Sequence, residues 1–194
     1  MYEIPQSITI NGEEFPIRNR GDYRMVLDCL VALDDAELTK QERLYSALII
    51  FYESLNSIED VNSLLDLPTA VREMFKFINC GQTESSGASV DYKLIDWDRD
   101  SQLICSAVNK VYGKEIRLEP YIHWWTFMGY YLAVGDSALS TVVGIRNKII
   151  KGKPLEKYEK EFRKNNPNYF NRSFDSAKKK DLDNYVKELW NSGK

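Results

Sequence analysis

The stretch that most constrains the fold is IHWWTFMGYY, residues 122–131, which contains two adjacent tryptophans, the chain's single histidine and no charged side chain. It follows Pro120, and proline is favoured in the first turn of a helix. A helix that is apolar nearly all round has to be covered by other elements on every side. The stretch therefore predicts a buried central helix, with partial exposure at a contact between copies of the chain as the alternative.

The rest of the chain predicts one hairpin and several more helices. SITINGEEFPI, residues 7–17, alternates apolar and polar residues around an Asn-Gly pair, which is a strong hairpin signal. Thr39 and Glu42 have the spacing of a capping box, which predicts a helix that continues to about Leu55. Apolar spacing and cap residues predict further helices over residues 21–34, 57–65, 68–78, 96–113, 137–152 and 154–167. We therefore expect a mainly α fold, a multi-helix bundle with a short N-terminal β-hairpin.

The chain contains one low-complexity stretch, GQTESSGAS at residues 81–89. Small polar residues without an apolar anchor are typical of linkers, so we predict a flexible linker or loop over 81–91. It would separate a hairpin-plus-helix half, residues 1–80, from a second helical half, residues 92–170. Residues 171–194 form a tail with a predicted terminal helix, and we expect one compact unit overall.

The composition indicates a cytosolic protein without a membrane segment. No stretch reaches the roughly 18 apolar residues that a membrane-spanning helix needs. The start of the chain, MYEIPQSITI, lacks the basic residues and apolar run of a signal peptide. Cys29, Cys80 and Cys105 have no metal-binding spacing, and an odd number of cysteines without a secretion signal is typical of reduced thiols.

The motifs that could carry chemistry are incomplete. His123 is titratable near neutral pH, but no nucleophile motif such as GxSxG accompanies it. Asp96, Asp98 and Asp100 imitate the start of a calcium loop, yet the sixth position is not glycine and the twelfth, Ala107, is not glutamate. The phosphate-binding Gly-rich motif is absent as well. The sequence therefore predicts no catalytic residue, no metal site and no cofactor.

Charge is distributed unevenly along the chain. Residues 1–100 carry 19 acids and 9 bases, whereas residues 101–194 carry 10 acids and 17 bases. Pairing within one molecule, or solvated helix faces, would account for this split. It also suits an acidic and a basic surface that bind different partners or join copies head to tail, so self-association is an open alternative.

The candidate interaction surface combines the aromatic stretch with a basic segment. Residues 146–164 hold eight bases against three acids. Nucleic acid is one reading of such a segment, but the interleaved acids and the acidic pI of the whole chain favour a solvated face or a protein contact. The residues that we single out for protein contacts are Trp124, Trp125, Tyr130, Arg146, Lys148, Lys151, Lys153 and Lys157.

Three elements of the sequence together resemble one protein family. They are a DW pair before a helix (Asp96-Trp97), the HWWTF helix (His123 to Phe127), and the segment from Ser140 to Phe162. In these elements the chain resembles the bacteriophage gene-product-fifteen family. The resemblance covers residues 1 to about 170 and is most specific in the second half.

That resemblance implies a function, although it assigns no residue to it. Members of the family are encoded by phages and prophages of Gram-positive bacteria, in the tail-morphogenesis region near the tape-measure gene, and have no assigned catalytic activity. The expected role is a non-enzymatic chaperone in the host bacterial cytoplasm, which binds the tape-measure protein, or other phage tail proteins, before the tail tube polymerises. The alternatives are a structural protein retained in the tail or head–tail junction, and a nucleic-acid-binding accessory protein that uses residues 146–164.

Overall fold

The computed structural model describes residues 3–82, 94–170 and 184–189. Two strands, β1 (Ser7–Ile10) and β2 (Glu13–Pro16), open the chain. The helices that follow are α1 (Tyr23–Asp34), α2 (Lys40–Phe51), α3 (Ile58–Ser63), α4 (Leu67–Ile78), α5 (Ser101–Tyr112), α6 (Trp124–Leu132), α7 (Ala138–Ile150) and α8 (Lys157–Asn165). A 3₁₀ turn (Pro167–Tyr169) comes after α8, and residues 184–189 are helical. The predicted mainly α fold with an N-terminal hairpin is confirmed.

The hairpin forms where the Asn-Gly pair predicts it. β1 and β2 are antiparallel, with Ser7 opposite Pro16 and Ile10 opposite Glu13. The two turn residues both have positive φ, 52° at Asn11 and 87° at Gly12, which is the backbone that a tight two-residue turn requires. β1 turns Ile8 and Ile10 towards the core, so the hairpin is fixed by its apolar face.

The described residues form two compact units. The first draws on Met1–Ser89, Tyr121–Phe127 and Asp175–Lys194, and the second on Val90–Pro120 and Met128–Phe174. This grouping differs from the sequential halves that the sequence suggested, since Tyr121–Phe127 joins the first unit. Most of the predicted linker and most of the predicted tail lie outside the described residues.

In the first unit, α1, α2 and α4 surround a core of fully buried side chains. The predicted capping box is present: the Glu42 amide donates to Thr39 Oγ1 (3.3 Å), and the Thr39 amide donates to Glu42 Oε2 (2.8 Å). The Tyr52 hydroxyl donates to the Ala70 carbonyl (2.8 Å) and thereby joins the end of α2 to α4. The core of this unit includes Ile17, Val26, Leu44, Leu48, Phe51, Val71 and Met74.

In the second unit, α5 and α7 have well-defined caps and contribute to an apolar core. α7 begins at a capping box in which the Ser140 amide donates to Ser137 Oγ (3.1 Å). α5 ends at Gly113, whose positive φ of 85° gives a left-handed cap. The apolar core of this unit includes Ile104, Val108, Ile116, Met128, Val142 and Ile145.

None of the helices that the structure describes has the length and apolar character that crossing a membrane requires.

Candidate interaction surfaces

The two adjacent tryptophans lie in the first unit, at the start of α6. Trp124 is 0% exposed, and its indole Nε1 donates to the Ile78 carbonyl (2.8 Å). Trp125 is half-buried, and its Nε1 donates to the Phe77 carbonyl (2.9 Å). Both carbonyls belong to the last turn of α4, where helix carbonyls lack an intrahelical partner. Trp124 therefore supplies a donor to the Ile78 carbonyl and belongs to the core of the first unit. Trp125 adds a second donor to the Phe77 carbonyl, which also accepts from the Cys80 amide (2.9 Å).

His123 is buried, and backbone groups occupy both of its ring nitrogens. The Pro5 carbonyl can only accept a hydrogen bond, so Nε2 donates to it (2.9 Å) and Nδ1 accepts from the Trp125 amide (3.1 Å). Burial lowers the pKa of His123 below its ordinary value of 6.5, while the bond to Pro5 and the charge of Asp22 act in the opposite direction. A neutral ring with both nitrogens engaged is a structural part of this unit.

Arg146, which the sequence places among the candidate surface residues, is only 3% exposed in the second unit. Its guanidinium forms a bidentate ion pair with Asp100, which is 0% exposed, with Nη2 donating to Oδ1 at 2.9 Å. It also donates to the Leu94 carbonyl (2.8 Å) and, from Nε, to the Tyr169 carbonyl (3.0 Å). Arg146 thus joins α7 to the residues before α5 and to the 3₁₀ turn.

Lys148 is likewise engaged within the second unit. Its Nζ lies 2.7 Å from Glu159 Oε1 and donates to Oε2 at 2.8 Å, which joins α7 to α8. The hydrogen bond from Lys148, with that from the Glu156 amide, holds the pKa of Glu159 below its usual range. The same contact raises the pKa of Lys148. Both groups are therefore charged at neutral pH, and the pair fixes one side of α8.

The remaining candidates differ in exposure. Tyr130 is half-buried and packs against Tyr112, with the ring centroids 5.0 Å apart. Lys151, Lys153 and Lys157 are exposed. Of the predicted set, only these three lysines are fully available on the surface.

A cavity of about 310 Å³ lies beside α8 in the second unit. Three cations line it, Lys160, Arg163 and Lys164, spaced so that they share one side of the helix. Apolar side chains complete the lining, and we call the whole feature the α8 cleft, defined by Leu155, Lys160, Arg163, Lys164, Pro167 and Phe170. Within the part of the chain that the structure describes, none of the three cations forms an ion pair or a side-chain hydrogen bond.

Sequence reasoning noted the three cations of the α8 cleft but did not place them together. The signal that could have found them is their i, i+3, i+4 spacing along α8. The apolar lining of the cleft could not be predicted from the spacing along α8, because Leu155 precedes the helix while Pro167 and Phe170 follow it. The 3₁₀ turn brings Pro167 and Phe170 to the side of α8 that carries the cations.

Among the described residues, no group of three His, Cys, Asp or Glu side chains is arranged as a metal ion would need. The thiols of Cys29 and Cys80 have pKa values raised by burial, so both are protonated at neutral pH.

Comparison with known proteins identifies the family. The family model described as Bacteriophage Gp15 protein matches residues 1–170 of the 194-residue chain. No curated protein and no solved structure matches the chain. The matched range contains the DW pair, the HWWTF helix and the segment through Phe162, so the resemblance inferred from those motifs is confirmed. The chain therefore belongs to the bacteriophage Gp15 protein family, which points to a structural or morphogenesis protein of a phage.

Proposed function

We propose that this protein is a non-enzymatic phage tail-assembly chaperone, which binds the tape-measure protein in the bacterial cytoplasm before the tail tube polymerises around it. The observation that carries the proposal is membership of the Gp15 family over residues 1–170. Membership supports interaction with other phage proteins. The tape measure is the partner that the gene neighbourhood of the family implies.

The described surface supports a role in binding rather than in catalysis. His123, the candidate base, has both ring nitrogens hydrogen-bonded to backbone groups. The two most deeply buried charged groups, Asp100 and Arg146, neutralise each other. What the second unit does offer to a partner is the α8 cleft, with exposed cations beside apolar side chains, which suits contact with a polypeptide.

A structural protein retained in the finished tail is the competing role, since family membership supports it equally. The two roles differ in one property: a chaperone leaves the assembly, whereas a structural protein is present in every particle. Particle composition therefore separates them.

The experiment is purification of an affinity-tagged copy of the chain from cells producing phage, with parallel purification of finished particles. Mass spectrometry is applied to both. We expect tape-measure peptides to accompany the tagged chain from cells, and the chain to be missing from the particles. A constant number of copies per particle would contradict the chaperone role and favour the structural one.

A further inference from the structure

We infer that the α8 cleft is a docking site for an acidic polypeptide segment, in which carboxylates flank one apolar side chain. The inference rests on the proposed function for the statement that the segment belongs to a phage partner. The chemistry of the segment itself follows from the residues that line the cleft.

The cations of the α8 cleft combine the lack of an internal acid with a common position around one cavity. Five other basic side chains of the second unit pair with acids of the same chain: Arg99 with Asp96, Lys114 with Glu119, Arg117 with Glu115, Arg146 with Asp100, and Lys148 with Glu159. The exposed Lys151, Lys153 and Lys157 form no ion pair among the described residues either, but they do not line the cavity. Lys160, Arg163 and Lys164 have no such acid among the described residues, although they converge on one cavity. Three converging charges without an internal counter-charge favour a negatively charged ligand.

The apolar side chains of the cleft indicate that its ligand carries an apolar group as well as negative charge. Leu155, Pro167 and Phe170 present carbon surface to the cavity. The Phe170 ring also packs edge-on against Phe162, with the centroids 6.4 Å apart, so its position is set by α8. At about 310 Å³ the space lies at the low end of ligand-binding cavities, which span about 300–1,000 Å³. It suits one apolar side chain of a partner.

Hydrogen bonds from Arg146 and the Lys148–Glu159 ion pair hold the elements around the cleft in place before any ligand binds. Arg146 donates two hydrogen bonds to the Tyr169 carbonyl (3.0 and 2.8 Å), directly before Phe170. Lys148 and Glu159 join α7 to α8, whose cations line the cleft. A site whose walls are already ordered loses less conformational entropy on binding.

A protein segment fits this cleft better than nucleic acid does. A phosphate backbone carries negative charge but leaves the apolar lining of Leu155, Pro167 and Phe170 unfilled, whereas a polypeptide can supply both carboxylates and an apolar side chain. The chain's own residues 171–183 contain four bases and three acids, so they do not supply the missing negative charge.

The test measures fluorescence anisotropy of a labelled peptide in which one phenylalanine is flanked by glutamates. We expect the full chain to bind it, with affinity falling as salt rises. The cleft variant Lys160→Glu/Arg163→Glu/Lys164→Glu should lose about tenfold or more in affinity. The same peptide with serine in place of phenylalanine should bind more weakly, and one with lysines in place of the glutamates should not bind.

The matched control is Lys151→Glu/Lys153→Glu/Lys157→Glu, which makes the same change in net charge at exposed lysines outside the cleft. It should bind the peptide as the wild type does. Equal losses in the two variants would mean that general charge governs binding, and would overturn the inference. So would equal binding of the acidic and basic peptides, or tighter binding of a single-stranded oligonucleotide. If the cleft variant unfolds, Arg163→Gln replaces it with the same expected direction.

Co-expression of both triple variants with the tape-measure protein separates the two proposals. If the cleft variant still keeps the tape measure soluble and the peptide does not bind, the docking site is wrong while the chaperone function stands. If the peptide binds through the cleft but the wild type leaves the tape measure insoluble, the docking site stands and the proposed partner is wrong.

Discussion

At the scale of single residues, Trp124 and Trp125 show how neighbours in one motif take different roles. Both donate an indole hydrogen bond to the last turn of α4, but only Trp124 is fully enclosed, where it stacks on Phe127 with the ring centroids 5.6 Å apart. The alternation follows from helix geometry, since successive residues on a helix point about 100° apart.

We expect Trp124→Ala to lower the free energy of unfolding by about 3–5 kcal/mol, because it removes a large buried ring and leaves a cavity. Trp125→Phe, which keeps most of the ring volume and loses one hydrogen bond, should cost about 1 kcal/mol. Urea denaturation followed by circular dichroism measures both. Near-native stability of Trp124→Ala, accompanied by loss of oligomers, would instead place Trp124 at a contact between copies.

His123 predicts a dependence of stability on pH. Burial lowers its pKa in the folded protein below 6.5, so the unfolded chain binds the proton more readily. The free energy of unfolding should therefore be highest above about pH 6.5 and decrease as the pH falls from there towards the lower pKa of the folded state. Protonation would also remove the acceptor of the Trp125 amide.

The measurement is urea denaturation at a series of pH values between about 7.5 and 5.5, since the chain has a single histidine to titrate there. His123→Asn should flatten the decrease. An unchanged slope in His123→Asn would show that another group is responsible.

The residue that sequence reasoning placed least well is Arg146. It lies in a run of basic residues, and a run of that kind indicates a solvated face. Its partner, Asp100, is 46 positions away, and the acid appeared in the sequence only as part of an incomplete calcium loop. A contact of such separation leaves no local pattern, so the burial of both groups could not be predicted.

At the scale of secondary-structure elements, the sequence predicted correctly those turns and helix starts whose stabilising contacts lie within a few residues of each other. The Asn-Gly turn and the Thr39 capping box form as predicted, because each is completed within a few residues. α2 ends at Phe51, earlier than the predicted Leu55. There the backbone of Tyr52 leaves the helix and forms a β-bridge with Ile17, a tertiary contact that helical periodicity does not contain.

The Asp100–Arg146 pair connects α7 to the start of α5 and, through Arg146, to the 3₁₀ turn after α8, so we expect its loss to destabilise the whole second unit. Asp100→Asn leaves the buried guanidinium without its counter-charge, so the free energy of unfolding should fall by about 3–5 kcal/mol. The double change Asp100→Leu/Arg146→Met should recover much of that loss, because it removes both charges together. Chemical denaturation of the three proteins measures this, and a double variant less stable than Asp100→Asn would contradict it.

At the scale of the whole molecule, the sequence predicted the helical class but not the grouping of the helices. Residues 121–127 join the first unit through contacts about one hundred positions apart: the Tyr23 amide donates to the Ile122 carbonyl (2.9 Å), and the Ile122 amide to Asp22 Oδ2 (3.1 Å). The α8 cleft could not be predicted either, because residues before and after α8 complete its lining and no local pattern brings them together.

The most direct test of the proposed tail-assembly role is co-expression of this chain with a phage tape-measure protein, followed by size-exclusion chromatography of the soluble fraction. We predict that the tape measure is insoluble when expressed alone and elutes together with this chain when both are present. A tape measure that stays insoluble beside abundant folded partner would contradict the chaperone role.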